Sequence, residues 1–246
     1  MSKPILVLAA TPLEIDLLKD TLKKKETSTV ARRDCLSGQI GGRDVKLLET
    51  GIGLVNTAQV LTGALETAPH VLVLQVGVGG AYPGSNLLIG DIAVATEENY
   101  GELGIETVDS WESAEAIGIP LLEGNRDYFN TFPLDSARVA RAETLIRGRS
   151  WHGIPPFFCK GPFVTVQQCT GTESKGRQLA ERFGAICENM EGASAAHVCA
   201  RYETPFLEVR GISNPVEDRN RDAWDLPLAA ERAQQAVLTL IKDLDL

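Results

Sequence analysis

The sequence predicts an α/β domain whose sheet carries helices on both faces. Short continuous apolar runs recur at 5–10, 45–48, 71–76, 92–95, 163–166 and 205–209, as expected of strands buried on both faces. Segments with helical spacing of apolar residues fall between and after them, at 55–66, 137–146, 175–183, 193–201 and 228–240, and strands alternating with helices argue for one covered sheet. With 246 residues, 43% of them hydrophobic, the chain can bury a full core. No internal repeat, low-complexity tract or linker divides it, so a single domain spanning 1–246 is expected.

The first apolar run, 5–10, leads into Thr11-Pro12-Leu13-Glu14. Threonine at the cap, proline in the first turn and an acid behind it signal a helix start, and Leu13, Leu17, Leu18 and Leu22 continue at helical spacing, giving a β-turn-α opening. The run 45–48 ends near Gly51-Ile52-Gly53-Leu54-Val55-Asn56, which opens the helix 55–66. The run 71–76 ends in Gly77-Val78-Gly79-Gly80-Ala81-Tyr82-Pro83. Two such glycine-rich strand ends can face one crevice, where open α/β sheets bind ligands. Glycines there let backbone N–H groups approach an anion or a sugar, although a glycine after a strand is also an ordinary turn. Residues 101–126 and 148–162 follow neither pattern and read as long loops, a common place for function.

Composition excludes several classes of function. The formal net charge is -9 and the charges are scattered, apart from Lys23, Lys24 and Lys25, so no surface for nucleic acid or anionic membrane is expected. No apolar run approaches the roughly 18 residues of a membrane span, and the stretch after Pro4 is too short for a signal segment. Five widely spaced cysteines, at 35, 159, 169, 187 and 199, read as free, mostly buried thiols in a reducing compartment. A soluble cytoplasmic protein follows as the expectation. No metal-ligand spacing or Ser-His-Asp arrangement is present. His197 reads as a packed core histidine, and His152 stays open.

The residues best placed for chemistry lie late in the chain. Glu188-Asn189-Met190-Glu191-Gly192-Ala193 introduces a helix of small residues. Glu188 reads as an acid stabilised by the helix dipole. Glu191, crowded by Met190, Gly192 and Ala193, would be costly to bury unpaired, and a carboxylate so placed commonly holds a ligand's hydroxyl pair. Arg210-Gly211-Ile212-Ser213-Asn214 continues the strand 205–209 and brings polar groups to its carboxyl end, and the charged run 215–222 reads as a solvated loop.

Glu14 after the first strand, Gly77-Val78-Gly79-Gly80-Ala81, Met190-Glu191 and Ile212-Ser213-Asn214 appear in this order over essentially the whole chain. This constellation resembles the nucleoside phosphorylase/nucleosidase superfamily. The resemblance implies a three-layer α/β/α sandwich around a mixed central sheet, and cleavage of the N-glycosidic bond of a small-molecule nucleoside without cofactor or metal. In the hydrolytic branch, typified by methylthioadenosine/S-adenosylhomocysteine nucleosidase, it implies that Glu14 activates water and that Glu191 binds the ribose hydroxyls with Met190 packed under the sugar. It also implies that Gly79, Gly80 and Ala81 line the site. Val164, Thr165 and Ser213 are implied among the substrate-binding residues, and a local alignment through Val164 and Thr165 places Cys169 where adenine-specific members carry an aromatic residue beside the base.

Asn214, following Ser213, stands where those members have an aspartate that protonates the purine. With the tail Arg219 to Trp224 it resembles the futalosine hydrolases of menaquinone biosynthesis, which implies release of hypoxanthine from futalosine. Hypoxanthine presents O6 and N7 as neighbouring acceptors, which an amide N–H₂ could serve together, whereas adenine presents a donor beside N7. A methylthioadenosine/S-adenosylhomocysteine-type nucleosidase, a purine nucleoside phosphorylase and a non-catalytic nucleoside-binding module remain the alternatives. The family also implies a homodimer or higher homo-oligomer, with a neighbouring subunit completing the pocket beyond the ribose 5′ carbon.

Overall fold

A computed structural model describes residues 3–124 and 126–245. In chain order its strands and α-helices are β1 (Ile5–Ala9), α1 (Asp16–Thr21), β2 (Lys23–Val30), β3 (Arg33–Ile40), β4 (Arg43–Glu49), α2 (Leu54–Thr67), β5 (Leu72–Ala81), β6 (Ile92–Tyr100), β7 (Gly104–Glu106), β8 (Trp111–Ser113), β9 (Thr131–Pro133), α3 (Ser136–Arg147), β10 (Phe158–Thr165), α4 (Glu173–Phe183), β11 (Cys187–Asn189), α5 (Gly192–Arg201), β12 (Phe206–Pro215) and α6 (Leu226–Asp243). The ten-stranded sheet runs β11-β10-β6-β12-β5-β1-β4-β3-β2, with β9 added on β6. It is mixed: β1 lies parallel between β4 and β5, while β12 is parallel to β5 and antiparallel to β6. Because β11 pairs with β10 on one side and with the end of β5 on the other, the strands β5, β12, β6, β10 and β11 close on themselves.

Alternation along the strands sends side chains into two cores. Ile5, Val7, Leu74, Val94, Leu207 and Val209 face α3 and α6, whereas Leu6, Leu8, Val73 and Phe206 face α2 and α5. The expected three-layer sandwich around a mixed sheet is therefore what forms, since every central strand has apolar side chains to bury on both sides. A smaller cluster seats α4 on Val164, Val166 and Val216. Local chemistry starts several helices. The side chains of Asp135, Thr172 and Asp225 accept from the backbone N–H three residues on, relieving orphan donors of the first turn.

Three expectations bear comparison with the structure, and one hairpin was not anticipated. The opening helix is broken: a single 3₁₀ turn spans Pro12–Glu14, and α1 starts afresh after Ile15. The glycine-rich segment after residue 76 is not a turn, because β5 continues to Ala81, whereas β12 runs to Pro215 with Arg210 to Asn214 at its end, as expected. The hairpin β2–β3 gave no apolar signal because β2 is exposed along nearly its whole length. The stretch 101–126 is not plain loop but holds the β7–β8 hairpin and a 3₁₀ turn at Ala114–Ile117. Among the described residues no helix is long and apolar enough to cross a membrane.

One buried amide on α6 fixes the broken opening helix. Gln234 Oε1 accepts from Leu17 N at 2.9 Å, and its Nε2 donates to Leu13 O at 3.1 Å, so the turn carrying Glu14 is tied to the last helix. Gln234→Leu keeps the volume but strands those backbone groups, and should lower stability by about 1–3 kcal/mol. Denaturant unfolding measures this, and an unchanged midpoint would show that the clamp contributes nothing.

Candidate active site

The turn after β1, the glycine stretch of β5, the β11–α5 junction and the end of β12 meet above the carboxyl ends of the central strands. Glu14 arrives there through its own turn. Its Oε2 accepts from Thr11 N at 2.9 Å and Thr11 Oγ1 at 2.8 Å, and its Oε1 accepts from Val78 N at 2.9 Å. This is a capping box read back onto the turn, with a third bond from β5. Burial pushes the Glu14 carboxyl above the usual carboxylate range, and the nearby Arg210 charge pulls in the opposite direction.

Arg210 is the cation of the site. It points from β12 to the α2/α5 side of the sheet and is only 1% exposed, beside Glu14 at 5% and Glu191 at 3%. Its Nε donates to Glu208 Oε1 at 2.8 Å, and its Nη1 donates to Glu191 Oε2 at 3.1 Å and to Val78 O at 3.1 Å. The neighbouring carboxylates outweigh the cost of burial and raise the guanidinium pKa further. Residue 77 must be glycine for this meeting, since a Cβ there would stand 2.6 Å from Arg210 Nη1 and 2.7 Å from Glu14 Oε1.

Glu191 is held from three directions. Its Oε1 accepts from Gly53 N at 3.0 Å at the start of α2, its Oε2 takes the Arg210 bond, and its own N–H donates to Asn189 Oδ1 at 2.9 Å. Both carboxylate oxygens keep a free lone pair. Ser213 Oγ lies 2.8 Å from Asn214 Oδ1 and 3.3 Å from Gly79 O, and Asn214 Nδ2 donates to Pro215 O at 2.9 Å. One N–H of that amide is thus already engaged, so it offers a ligand a single donor.

The fold brings Glu14, Gly79, Gly80, Met190, Glu191, Ser213 and Asn214 to one region, with Asn214 Nδ2 3.3 Å from where a Cβ on Gly80 would stand, whereas the Ala81 side chain packs into the apolar cluster of Ala93, Phe163 and Ile212. Cys169 Sγ lies 3.4 Å from Met190 Sδ on the exposed side. Val164 and Thr165 lie beneath the site instead. The Val164 side chain packs under α4, and the Thr165 hydroxyl joins Glu98, Asn189 and the backbone of α5. Glu188 is not a helix-dipole acid but belongs to β11. It accepts from Thr170 N at 3.0 Å, from the Thr170 hydroxyl and from Tyr82 OH at 3.0 Å. His197 packs on Phe132 with 4.6 Å between ring centroids, and burial lowers its pKa, as suits a core histidine.

Sequence reasoning missed Arg210 as the central cation, and Thr11 and Gly53 as the groups that aim Glu14 and Glu191. Two charges inside Phe206-Leu207-Glu208-Val209-Arg210 were the available signal, since buried charges are kept only when paired.

The Phosphorylase superfamily model matches residues 4–242. The 5'-methylthioadenosine/S-adenosylhomocysteine nucleosidases of Bacillus thuringiensis and Bacillus anthracis are each 28% identical to the chain over 243 residues, covering 98% of it and 99% of the relative. Among solved structures, the nucleosidase of that name from Neisseria meningitidis, in complex with methylthio-immucillin-A, superposes with a TM-score of 0.83 at 22% identity, covering 99% of this chain and 100% of the other. The corresponding Colwellia psychrerythraea structure with adenine gives a TM-score of 0.83 at 23% identity, covering 98% and 95%.

Removing the cation while keeping its volume tests the electrostatic frame of the site. Arg210→Met leaves Glu208 and Glu191 as buried carboxylates without a counter-charge, and should cost about 3–5 kcal/mol of folding free energy. Chemical denaturation at neutral pH reads the change, and a loss within the range of an exposed ion pair, about 1 kcal/mol or less, would mean that water reaches the cluster in solution.

Proposed function

Because the chain belongs to the Phosphorylase superfamily, we propose that it is a hydrolytic nucleosidase, cleaving the N-glycosidic bond of a purine nucleoside with water as the nucleophile. The observation that carries this reading is Glu14: a buried carboxylate aimed by three hydrogen bonds, with Arg210 and Glu191 alongside. A water lying against Glu14 would give up its proton there as it attacks the anomeric carbon, and a carboxyl pKa raised by burial suits a base working near neutrality. Glu191 would accept the ribose 2′ and 3′ hydroxyls on its free lone pairs. Positive charge developing on the sugar would then stand between two fixed carboxylates, a preorganised electrostatic stabilisation.

Phosphorolysis fits the same geometry less well. Arg210 is already engaged by Glu208 and Glu191, so a phosphate at the nucleophile position would meet the Glu14 carboxylate rather than an uncompensated cation. On the same reading the enzyme works in the cytoplasm as a homodimer or larger homo-oligomer, the neighbouring subunit completing the pocket for the 5′ substituent.

For the substrate, the relatives favour an adenine nucleoside of the methylthioadenosine/S-adenosylhomocysteine type. A second reading, a 6-oxopurine nucleoside such as futalosine, is favoured by Asn214. After its bonds to Ser213 and Pro215, the amide retains one N–H and one lone pair, which can hold N7 of either purine but cannot transfer a proton to it. Hypoxanthine, whose carbonyl draws electron density from the ring, departs more readily as an anion and needs that proton less. The amide therefore suits hypoxanthine release through the chemistry of departure, rather than through two donors shared between O6 and N7.

Incubation with 5′-methylthioadenosine, S-adenosylhomocysteine, inosine and futalosine, with and without phosphate, should release free base without any phosphate requirement. Glu14→Gln should keep nucleoside binding and lose about 10²–10⁴ in turnover, the usual effect of removing a general base. Phosphate-dependent release, or near-normal turnover in the variant, would overturn the hydrolytic assignment.

Asn214→Asp separates the two substrate readings. If the amide supports a 6-oxopurine, the ratio of kcat/KM for futalosine to that for methylthioadenosine should fall by at least about tenfold, since one misplaced hydrogen-bond partner costs about 1–3 kcal/mol. An unchanged ratio would take Asn214 away from the base and leave the adenine nucleoside as the better assignment.

A further inference from the structure

Below the Arg210 guanidinium two carboxyl groups face each other, and the mechanism above does not use them directly. Glu98 on β6 and Glu208 on β12 are both fully buried. Both lie against Gly192, where a Cβ would stand 2.2 Å from Glu98 Oε1 and 2.3 Å from Glu208 Oε2. Most of their oxygens have donors. Glu98 Oε1 accepts from Asn189 Nδ2 at 2.7 Å, Glu98 Oε2 faces Thr165 Oγ1 at 2.7 Å, and Glu208 Oε1 takes the Arg210 Nε bond at 2.8 Å. Glu208 Oε2 is the exception, with no donor among the described residues.

Two ionised carboxylates this close and out of water would repel each other strongly. A single proton between Glu98 Oε1 and Glu208 Oε2 removes the repulsion and gives the unpartnered oxygen its hydrogen bond. Burial, and after it the charge of Glu208, push the Glu98 carboxyl well above the usual range, the direction that retains such a proton at neutral pH.

We propose that Glu98 and Glu208 are a positioning pair, a carboxylic acid and a carboxylate joined by one proton, which holds Glu191 at both its backbone and its side chain. From Glu98 the path runs through Asn189, whose Oδ1 accepts from Glu191 N at 2.9 Å and Gly192 N at 2.7 Å. From Glu208 it runs through Arg210 to Glu191 Oε2. A change in the pair therefore displaces the Glu191 carboxylate through two routes at once. The positioning role rests on Glu191 gripping the ribose, as proposed above; the shared proton does not.

The other ionisable groups around the pair are Arg210, Glu191 and Glu14 in the site, Tyr100 beside Glu98, Cys187 and Glu188 on β11, Tyr82 after β5, and His197 on α5. Burial raises the pKa of Tyr82, Tyr100, Cys187, Glu188 and Glu14, and lowers that of His197. All are common to wild type and to a variant at position 208, so a comparison of the two isolates the pair.

The variant Glu208→Gln puts a fixed N–H in place of the proton. Its amide donates to Glu98, its oxygen still accepts from Arg210, and the pair keeps its total charge. The infrared carbonyl band of a protonated carboxylic acid should be present in wild type at pH 8 and weaker in the variant. In folded wild type the pair retains a proton that the unfolded chain releases above the ordinary glutamate pKa. Wild-type stability therefore falls as pH rises through the range between the unfolded and folded pKa values, and its unfolding constant should climb relative to the variant's by up to about tenfold per pH unit. Glu208→Gln should retain turnover that Glu208→Ala loses by about 100-fold, the scale of a displaced catalytic contact. Parallel pH dependence in wild type and Glu208→Gln, or no carboxylic acid band at pH 8, would overturn the shared proton. Equal turnover in Glu208→Gln and Glu208→Ala would overturn the positioning role. Wild-type protein inert toward every nucleoside tested would sink the nucleosidase reading and the positioning role with it, while the shared proton is decided by the first two measurements.

Discussion

A guanidinium buried among carboxylates is the constraint on which the rest of this structure depends. Arg210 is 1% exposed, and a charge so far from water persists only if it is paired and hydrogen-bonded. Its partners come from separate parts of the chain: Glu208 from its own strand, Glu191 from the start of α5, and the Val78 carbonyl from β5. The turn after β1 brings Glu14 alongside, so four distant segments have to arrive together. That arrangement costs folding energy, and it also delivers a fixed cation with fixed carboxylates to one small volume.

The sheet makes room for this cluster with glycine rather than with loops. β5 and β12 run side by side through Gly77, Gly79 and Gly80, and their register slips between Ile212 and Asn214. The slip turns the end of β12 so that Ser213 reaches the Gly79 carbonyl and Asn214 lies beside Gly80, the re-aiming that bulges provide at functional sites. Pairing of β11 with β5 closes the strands below and carries Asn189 to the backbone of Glu191. The small residues after Glu191 have the same steric origin, because α5 begins directly over the Glu98 and Glu208 carboxyls.

Much of the architecture was legible in the chain. Apolar runs located β1, β4 and the first halves of β5 and β6, and helical spacing located α2 to α6 to within a few residues at each end, because both signals come from burial in the core. The hairpin β2–β3 left no such signal, being polar and exposed. Glycine-rich residues 77–81 read as a turn because glycine is a poor strand former, and ladder pairing with β12 and β11 overrode that local preference. In the site, Glu14, Glu191 and Asn214 stood out and Arg210 was one of several polar groups at a strand end, whereas Glu98 and Glu208, charges within or beside apolar strands, were not singled out.

The sequence by itself determined the class of fold, the order of its buried strands and helices and the strand ends at which polar groups would gather, since hydrophobic period and capping residues act within a few positions of one another. Which carboxylate faces which cation was decided only by the tertiary structure. Glu98, Glu191 and Glu208 lie on different elements, and their protonation and hydrogen bonding depend on angstrom-scale distances in a medium that screens poorly. A linear sequence carries no such distances. They arise when the sheet closes, the β12 register slips and α5 settles over Gly192.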